Sequence, residues 1–184
     1  YSQQYPSSEE SFDEFLNWGP LLLSDFDEID RYLLESGQVF KNLNEVRRME
    51  AWELGEKDPK PLQKKFLEFW EKLPGLYYEL NRVLKEKNYC YLGWAYRHIA
   101  EDIQLVFENN KDRQFIFAGF NALSKAEKQI IKQLHIMGRA KVFLNGDKYY
   151  FDNYEHEAGR FLRDLRQELN LREPDFIENR LLTE

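Results

Sequence analysis

The sequence predicts an α/β fold in which a mostly helical N-terminal two thirds precedes a small parallel sheet. Two observations support this prediction. Apolar residues recur at helical spacing through residues 1–111, whereas residues 112–184 contain two short apolar runs on either side of a helix with a strong start signal. The chain has 184 residues, of which 42% are hydrophobic, so it is long and apolar enough to bury a core.

The first region is predicted to hold a series of amphipathic helices. A short helix around Phe15 is expected to stop at Gly19 and Pro20, because proline lacks the amide hydrogen that a helix interior uses. Further apolar stripes predict helices from Leu22 to about Gly37, through Phe40 to Trp52, from Pro61 with a kink or break at Pro74, and from Trp94 to Glu108.

The second region is predicted to contain a strand, a helix and a second strand. Gln114–Phe120 is a nearly continuous apolar run, typical of a strand buried on both faces. Ser124 and Glu127 form a capping box that starts a helix, and Arg139–Leu144 is the second strand. Such a unit should make a right-handed crossover between parallel strands. A final helix is expected from about Tyr154 to Asn170, with Ala158, Phe161, Leu162, Leu165 and Leu169 facing inward.

Charge is distributed unevenly. Residues 1–60 contain 14 acids and 6 bases, and residues 61–184 contain 19 acids and 20 bases. The acidic first third should repel phosphate, although a solvated surface is the simplest interpretation. The apolar runs are far shorter than the roughly 20 residues that cross a bilayer, so no membrane partner is expected. Cys90 is the single cysteine, which excludes a disulfide framework and predicts a buried structural thiol in a cytoplasmic protein.

Motifs for catalysis are weak. The turn after the first strand lacks the glycine patterns that bind phosphate, so neither ATP hydrolysis nor a cofactor is expected. His156 lacks a second histidine one helical turn later, and no metal site is expected. Asp25, Asp27 and Asp30 lack the glycine of a calcium loop and should lie on the solvent side of a helix. Candidate ligand- or partner-binding residues follow the two strands or begin the last helix: Asn121, Asp147 and Glu157.

Several short stretches, distributed over nearly the whole chain, form a further pattern: Trp18–Gly19, Leu22–Phe26, Phe69–Trp70, Phe117–Leu123 with Glu127, Asp147–Tyr150 and Glu157–Gly159. This pattern resembles the helicase-like region of AddB-type helicase-nuclease subunits, particularly the Bacteroidetes proteins of the PD-(D/E)XK nuclease superfamily. In that family an aromatic residue and an extra acid tend to precede the acid that aligns with Asp147, whereas this chain has Leu144 and Asn145.

The resemblance implies a multidomain protein of DNA break repair and recombination, with a RecA-like helicase core related to UvrD and Rep and a nuclease domain toward its C-terminus. This chain would be one fragment of its helicase-like part, with regions 1–111 and 112–184 packed together. The Walker A loop and the nuclease acids would lie outside it. The fragment itself is then expected to be noncatalytic and to position DNA or partner domains, with a helicase-nuclease subunit as partner. DNA would be bound through the full-length protein, and binding by the fragment alone is expected to be weak or absent.

Two alternatives remain open. The first is a self-standing protein interaction domain that uses aromatic surface patches and does not bind nucleic acid. The second, ranked last, is a metal-dependent enzyme centred on Asp147 and Glu157.

Overall fold

The computed structural model describes residues 12–53, 61–104, 112–120, 122–144 and 146–171. It is mostly helical with one small parallel sheet, which confirms the predicted fold class. Its elements are α1 (Phe12–Arg31), α2 (Ser36–Glu53), α3 (Pro61–Glu86), α4 (Leu92–Glu101), β1 (Phe115–Ala118), α5 (Lys125–Ile136), β2 (Ala140–Phe143), α6 (Lys148–Asp152), a 3-10 helix (Glu157–Gly159) and α7 (Arg160–Leu169).

The chain divides into two compact units between Ala95 and Tyr96, a point that lies within α4. The change in sequence pattern instead falls near residue 112, and the predicted division at that position stays a prediction.

The core of the first unit is formed by α1, α2 and α3. Phe26 of α1, Phe40 of α2 and Tyr77 of α3 are buried, and their ring centroids lie 5.2 to 6.1 Å apart. Two of these three ring pairs meet edge to face, an arrangement that aromatic quadrupoles favour. Ile29, Leu73 and Leu76 complete this core.

Helix α1 corrects the prediction of two separate helices. It continues through Gly19 and Pro20 for 20 residues. Aromatic packing explains why the proline is tolerated: the Trp18 ring lies edge-on to Phe15 at 4.8 Å and to Phe69 of α3 at 5.1 Å. Gly19 leaves room for the Phe15 ring, because an added Cβ would approach three atoms of that ring within 2.7–3.0 Å.

The remaining helices of the first unit follow the prediction in part. α2 covers the predicted segment, and α3 begins at Pro61 as expected. Of the kink or break predicted at Pro74, the break does not occur, since α3 extends unbroken from Pro61 to Glu86. The stretch predicted as Trp94–Glu108 appears as α4, which begins two residues earlier, and residues 105–111 lie outside the described residues.

In the second unit, β1 and β2 form a parallel pair as predicted, with Phe115 opposite Ala140 and Ala118 opposite Phe143. Helix α5 connects them. Ser124 caps it: the Ser124 hydroxyl accepts a hydrogen bond from the Glu127 amide, and the Glu127 carboxylate accepts one from the Ser124 amide at 2.8 Å. The predicted capping box is therefore confirmed.

Burial in this unit differs from the prediction at three places. Strand β1 is not buried on both faces, because burial alternates along it and Ile116 is 70% exposed. Ala158 in the 3-10 helix and Phe161 on α7 are exposed rather than inward-facing, although Leu162, Leu165 and Leu169 are buried as predicted. The predicted last helix begins later than expected, with a turn and a 3-10 helix before α7. Because Ile116 of β1 is exposed, one face of the small sheet is open.

Over the residues that the structure describes, none of the helices combines the length and the apolar character needed to span a membrane.

Candidate functional site

Two of the three candidate residues named from the sequence lie at the start of short helical segments. Asp147 precedes α6, and its Oδ1 accepts a hydrogen bond from the Tyr149 amide at 2.8 Å. Glu157 is exposed and begins the 3-10 helix. Asn121 lies outside the described residues. Asp147 therefore caps α6 by accepting a hydrogen bond from an amide at the start of the helix.

Metal ligands are not brought together in the described part of the chain, where no group of three or more His, Cys, Asp and Glu side chains could hold an ion. His156 caps the 3-10 helix, because its Nδ1 lies 3.3 Å from the Ala158 amide that donates to it.

An exposed set of aromatic rings lies next to Asp147, and we call it the aromatic corner: Tyr149, Tyr150, Tyr154 and His156. The Tyr150 ring centroid lies 5.2 Å from that of Tyr149 and 4.6 Å from that of His156. Tyr154 is 81% exposed. Large rings so close together on the surface have faces and edges available for a planar ligand.

Arg163 holds the backbone of the aromatic corner. Its Nη1 donates to the carbonyl oxygens of Tyr150 at 2.7 Å and Asn153 at 3.0 Å, and its Nη2 donates to that of His156 at 3.0 Å. The guanidinium also lies 5.1 Å from the centre of the Tyr154 ring, at a distance typical of cation–π contacts. One side chain therefore links the end of α6 to the backbone that leads to the 3-10 helix.

Two further features anchor the aromatic corner to the core. Phe151 of α6 is buried in the cluster that contains Leu144, Leu162 and Leu165. Gly159 allows the chain to pass close to α6, because an added Cβ would collide with the Tyr150 carbonyl oxygen. The exposed rings are thus carried by a framework with few alternative conformations.

The first unit contains an apolar cavity of about 650 Å³. Its walls come from α1, α2 and α3, together with the turn after α1, and most of the lining is aliphatic or aromatic: Trp18, Leu21, Leu22, Phe26, Ile29, Tyr32, Leu34, Val39, Phe40, Leu43, Phe69, Trp70 and Leu73. A cavity of this size and lining can take several side chains of a binding partner.

The only charged residues among those described around the cavity are Asp25 and Glu28. Loss of hydration beside the apolar wall raises the pKa of Asp25, and the charge of Glu28 raises it further. Both acids lie on the same side of α1, so the cavity has an acidic border.

The acids of α1 have different environments, which corrects the expectation that all three lie on the solvent side. Asp30 is 0% exposed and accepts hydrogen bonds from the Tyr77 hydroxyl at 2.6 Å and from the Tyr91 hydroxyl. Asp27 accepts from the Gly93 amide at 2.5 Å and pairs with Arg31. These two acids join the end of α1 to α3 and to the start of α4.

Tyr91 is half-buried, and its pKa is raised by that burial, by the hydrogen bond to Asp30 and by the charge of Asp30. Cys90, which directly precedes it, is exposed. The prediction of a buried thiol was therefore wrong.

Neither Arg163 nor the cavity was predicted from the sequence, where Asp25 and Asp30 were considered only as acids of a rejected calcium loop. A signal existed for the aromatic corner in the run Asp147–Tyr150, where two adjacent tyrosines follow a helix-capping acid. Bonds between a side chain and distant carbonyls leave no periodic pattern in a sequence.

Comparison of the chain with protein-family models, with curated proteins and with solved structures gives no match in any of the three.

Proposed function

We propose that this chain is a noncatalytic, helicase-like module of a DNA-repair helicase-nuclease, and that it positions DNA or partner domains. The observation that carries the proposal is the aromatic corner, in which exposed rings are held on a backbone that Arg163 fixes. Proteins that bind single-stranded DNA without sequence preference stack bases on such rings.

The parallel strand–helix–strand unit supports the same proposal. The stretch from Phe117 to Glu127 that resembles helicase-nuclease proteins spans the end of the first strand and the start of the capped helix. In open α/β sheets, ligands are bound beyond the carboxyl ends of the strands. The aromatic corner follows β2 at that end of the strand, with Asp147 between them.

The charge near the corner predicts weak binding by the isolated chain. Lys148 and Arg160 are exposed there, but so are the acids Asp152, Glu155 and Glu157. Phosphate attraction is therefore small, and base stacking must supply most of the affinity. Stacking contributes about 1–3 kcal/mol per base, so two stacked bases give a dissociation constant of about 50 µM or weaker.

The test is fluorescence anisotropy of a labelled 15-nucleotide oligo-dT at low salt, titrated with the full chain. We expect Tyr149→Ala and Tyr154→Ala each to weaken binding at least fivefold, because each removes a stacking ring. Tyr89→Ala is the matched control, since Tyr89 is equally exposed but lies in the first unit. Absence of binding at low salt, or an equal loss with Tyr89→Ala, would contradict the proposal.

The apolar cavity favours a second candidate function, that of a protein interaction domain with no role in nucleic-acid binding. A cavity lined almost wholly by apolar side chains has no groups that bind phosphate or read base edges. This candidate predicts that the oligo-dT titration stays flat at every salt concentration, whereas the first candidate predicts a response at low salt.

A further inference from the structure

One face of α1 forms a continuous wall of the apolar cavity. The α1 residues that line it recur three and four positions apart, which is the spacing of one helix face: Trp18, Leu21, Leu22, Asp25, Phe26, Glu28 and Ile29. Tyr32 in the following turn extends the wall. From Trp18 to Ile29, at 1.5 Å per residue, this wall is about 17 Å long. The cavity is thus an elongated groove, about three helical turns in length.

The opposite walls belong to α2, with Val39 and Leu43, and to α3, with Phe69 and Trp70. The backbones of α2 and α3 approach each other closely, and α1 makes fewer close approaches to either. The groove stays open at the surface, where Leu21 is 68% exposed. An open apolar groove between helices is a surface into which the apolar face of another helix can pack.

The charged residues described along the border of the groove are both acidic. Asp25 and Glu28 line it, and no described residue of the lining is basic. Arg31, at the end of the same helix, is paired with Asp27 at 2.6 Å. The first 60 residues contain 14 acids and 6 bases. A partner that brings cations to this border gains attraction, and one that brings acids is repelled.

We propose that the groove binds an amphipathic helix of a partner protein, with lysine or arginine residues beside its apolar stripe. The apolar stripe would fill the groove at positions i, i+3, i+4 and i+7, which is how helices bind in grooves generally. The flanking cations would pair with Asp25 and Glu28. This activity is separate from the DNA binding proposed for the aromatic corner.

The probe is an 18-residue fluorescein-labelled peptide with leucine on one helical face, lysine on both flanks and alanine elsewhere. A second peptide carries glutamate at every lysine position. At low salt, we expect the full chain to bind the lysine peptide at least tenfold more tightly than the glutamate peptide. Reversing the border by combining Asp25→Lys with Glu28→Lys should reverse this preference.

Leu21→Glu places a charge in the groove and should weaken binding of the lysine peptide at least tenfold. Leu16→Glu is the matched control, because Leu16 is also an exposed leucine of α1 but does not line the groove. It should change binding less than twofold. Oligo-dT binding should be the same in both variants, so failure of this proposal is distinguishable from failure of the DNA proposal.

Four results would overturn the proposal: equal affinity for the two peptides, a preference that survives charge reversal, equal losses in the two leucine variants, or no binding at all. Self-association of the chain that Leu21→Glu abolishes would instead assign the groove to a second copy. Binding to phosphatidylglycerol vesicles that the same variant abolishes would assign it to a lipid surface. Either result would also reject the partner helix.

Discussion

Replacing Tyr77 with phenylalanine should destabilise the first unit by about 2 kcal/mol. The hydroxyl donates to the Oδ1 of Asp30 at 2.6 Å, and this carboxylate is 0% exposed. Hydrogen bonds to charged groups contribute about 1.5–3 kcal/mol to stability, more than neutral ones. The ring contacts with Phe26 and Phe40 are kept in the variant. The loss therefore measures the buried hydrogen bond.

The assay is urea unfolding followed by tryptophan fluorescence. All four tryptophans occur before residue 95, at positions 18, 52, 70 and 94, so the signal reports the first unit alone. With a slope of about 1.3 kcal/mol per molar urea for a unit of this size, the midpoint should fall by about 1.5 M. The slope itself should stay unchanged.

Tyr78→Phe is the control, because the neighbouring tyrosine is 56% exposed and its hydroxyl lies 3.3 Å from the Ser36 hydroxyl at the surface. It should change stability by less than about 0.5 kcal/mol. The reasoning would be refuted if Tyr77→Phe had an equally small effect, or if both variants lost the same amount.

Three other substitutions test separate features. Ser124→Ala removes the capping box of α5 and should cost about 1 kcal/mol, read from far-UV circular dichroism during thermal unfolding; an unchanged melting curve would contradict this. Gly93→Ala places a Cβ against the Asp27 carbonyl oxygen and should cost more than about 2 kcal/mol, whereas Gly37→Ala, whose Cβ would make only an ordinary contact with the Tyr78 hydroxyl at 3.9 Å, should not; equal melting temperatures would exclude the close contact. Because the pKa of Asp25 is raised, its charge opposes folding above that pKa, so Asp25→Asn should raise the melting temperature at pH 7 but not at pH 3, and a gain at both values would reject the cause given.

The sheet and its connecting helix could be predicted because their signals are local. The capping box needs only Ser124 and Glu127 in one turn, and the two apolar runs on either side have the length of strands. The open face of β1 could not be predicted. The sequence pattern around an apolar residue such as Ile116 is the same whether a helix or solvent covers its side chain.

The path of α1 shows how packing overrides a local signal. Proline at position 20 removes one helical hydrogen bond, which alone favours a stop. The Trp18 ring packs between Phe15 and Phe69, and burial of large rings offsets that loss. Phe69 is far from Trp18 in sequence, so a prediction made from the α1 segment alone could not include this contact.

The candidate sites were predicted only in part. Asp147 was named for its position after the second strand and Glu157 for its position near the start of the last helix, and the structure gives Asp147 a helix-capping role. The buried position of Asp30 could not be predicted, because it depends on tyrosines 47 and 61 residues away. The assignment to a DNA-repair helicase-nuclease stays a prediction, as does the cytoplasmic location.

The contacts of Arg163 have a consequence for cooperativity. A single guanidinium bonds carbonyl oxygens of Tyr150, Phe151, Asn153 and His156, so these four positions share one anchor besides the core packing of Phe151. Proteins open in contiguous cooperative units, and exposed segments open at lower free energy than the core. Residues 148–159 should therefore form a separate foldon, one that can melt and re-form while the parallel strands remain paired.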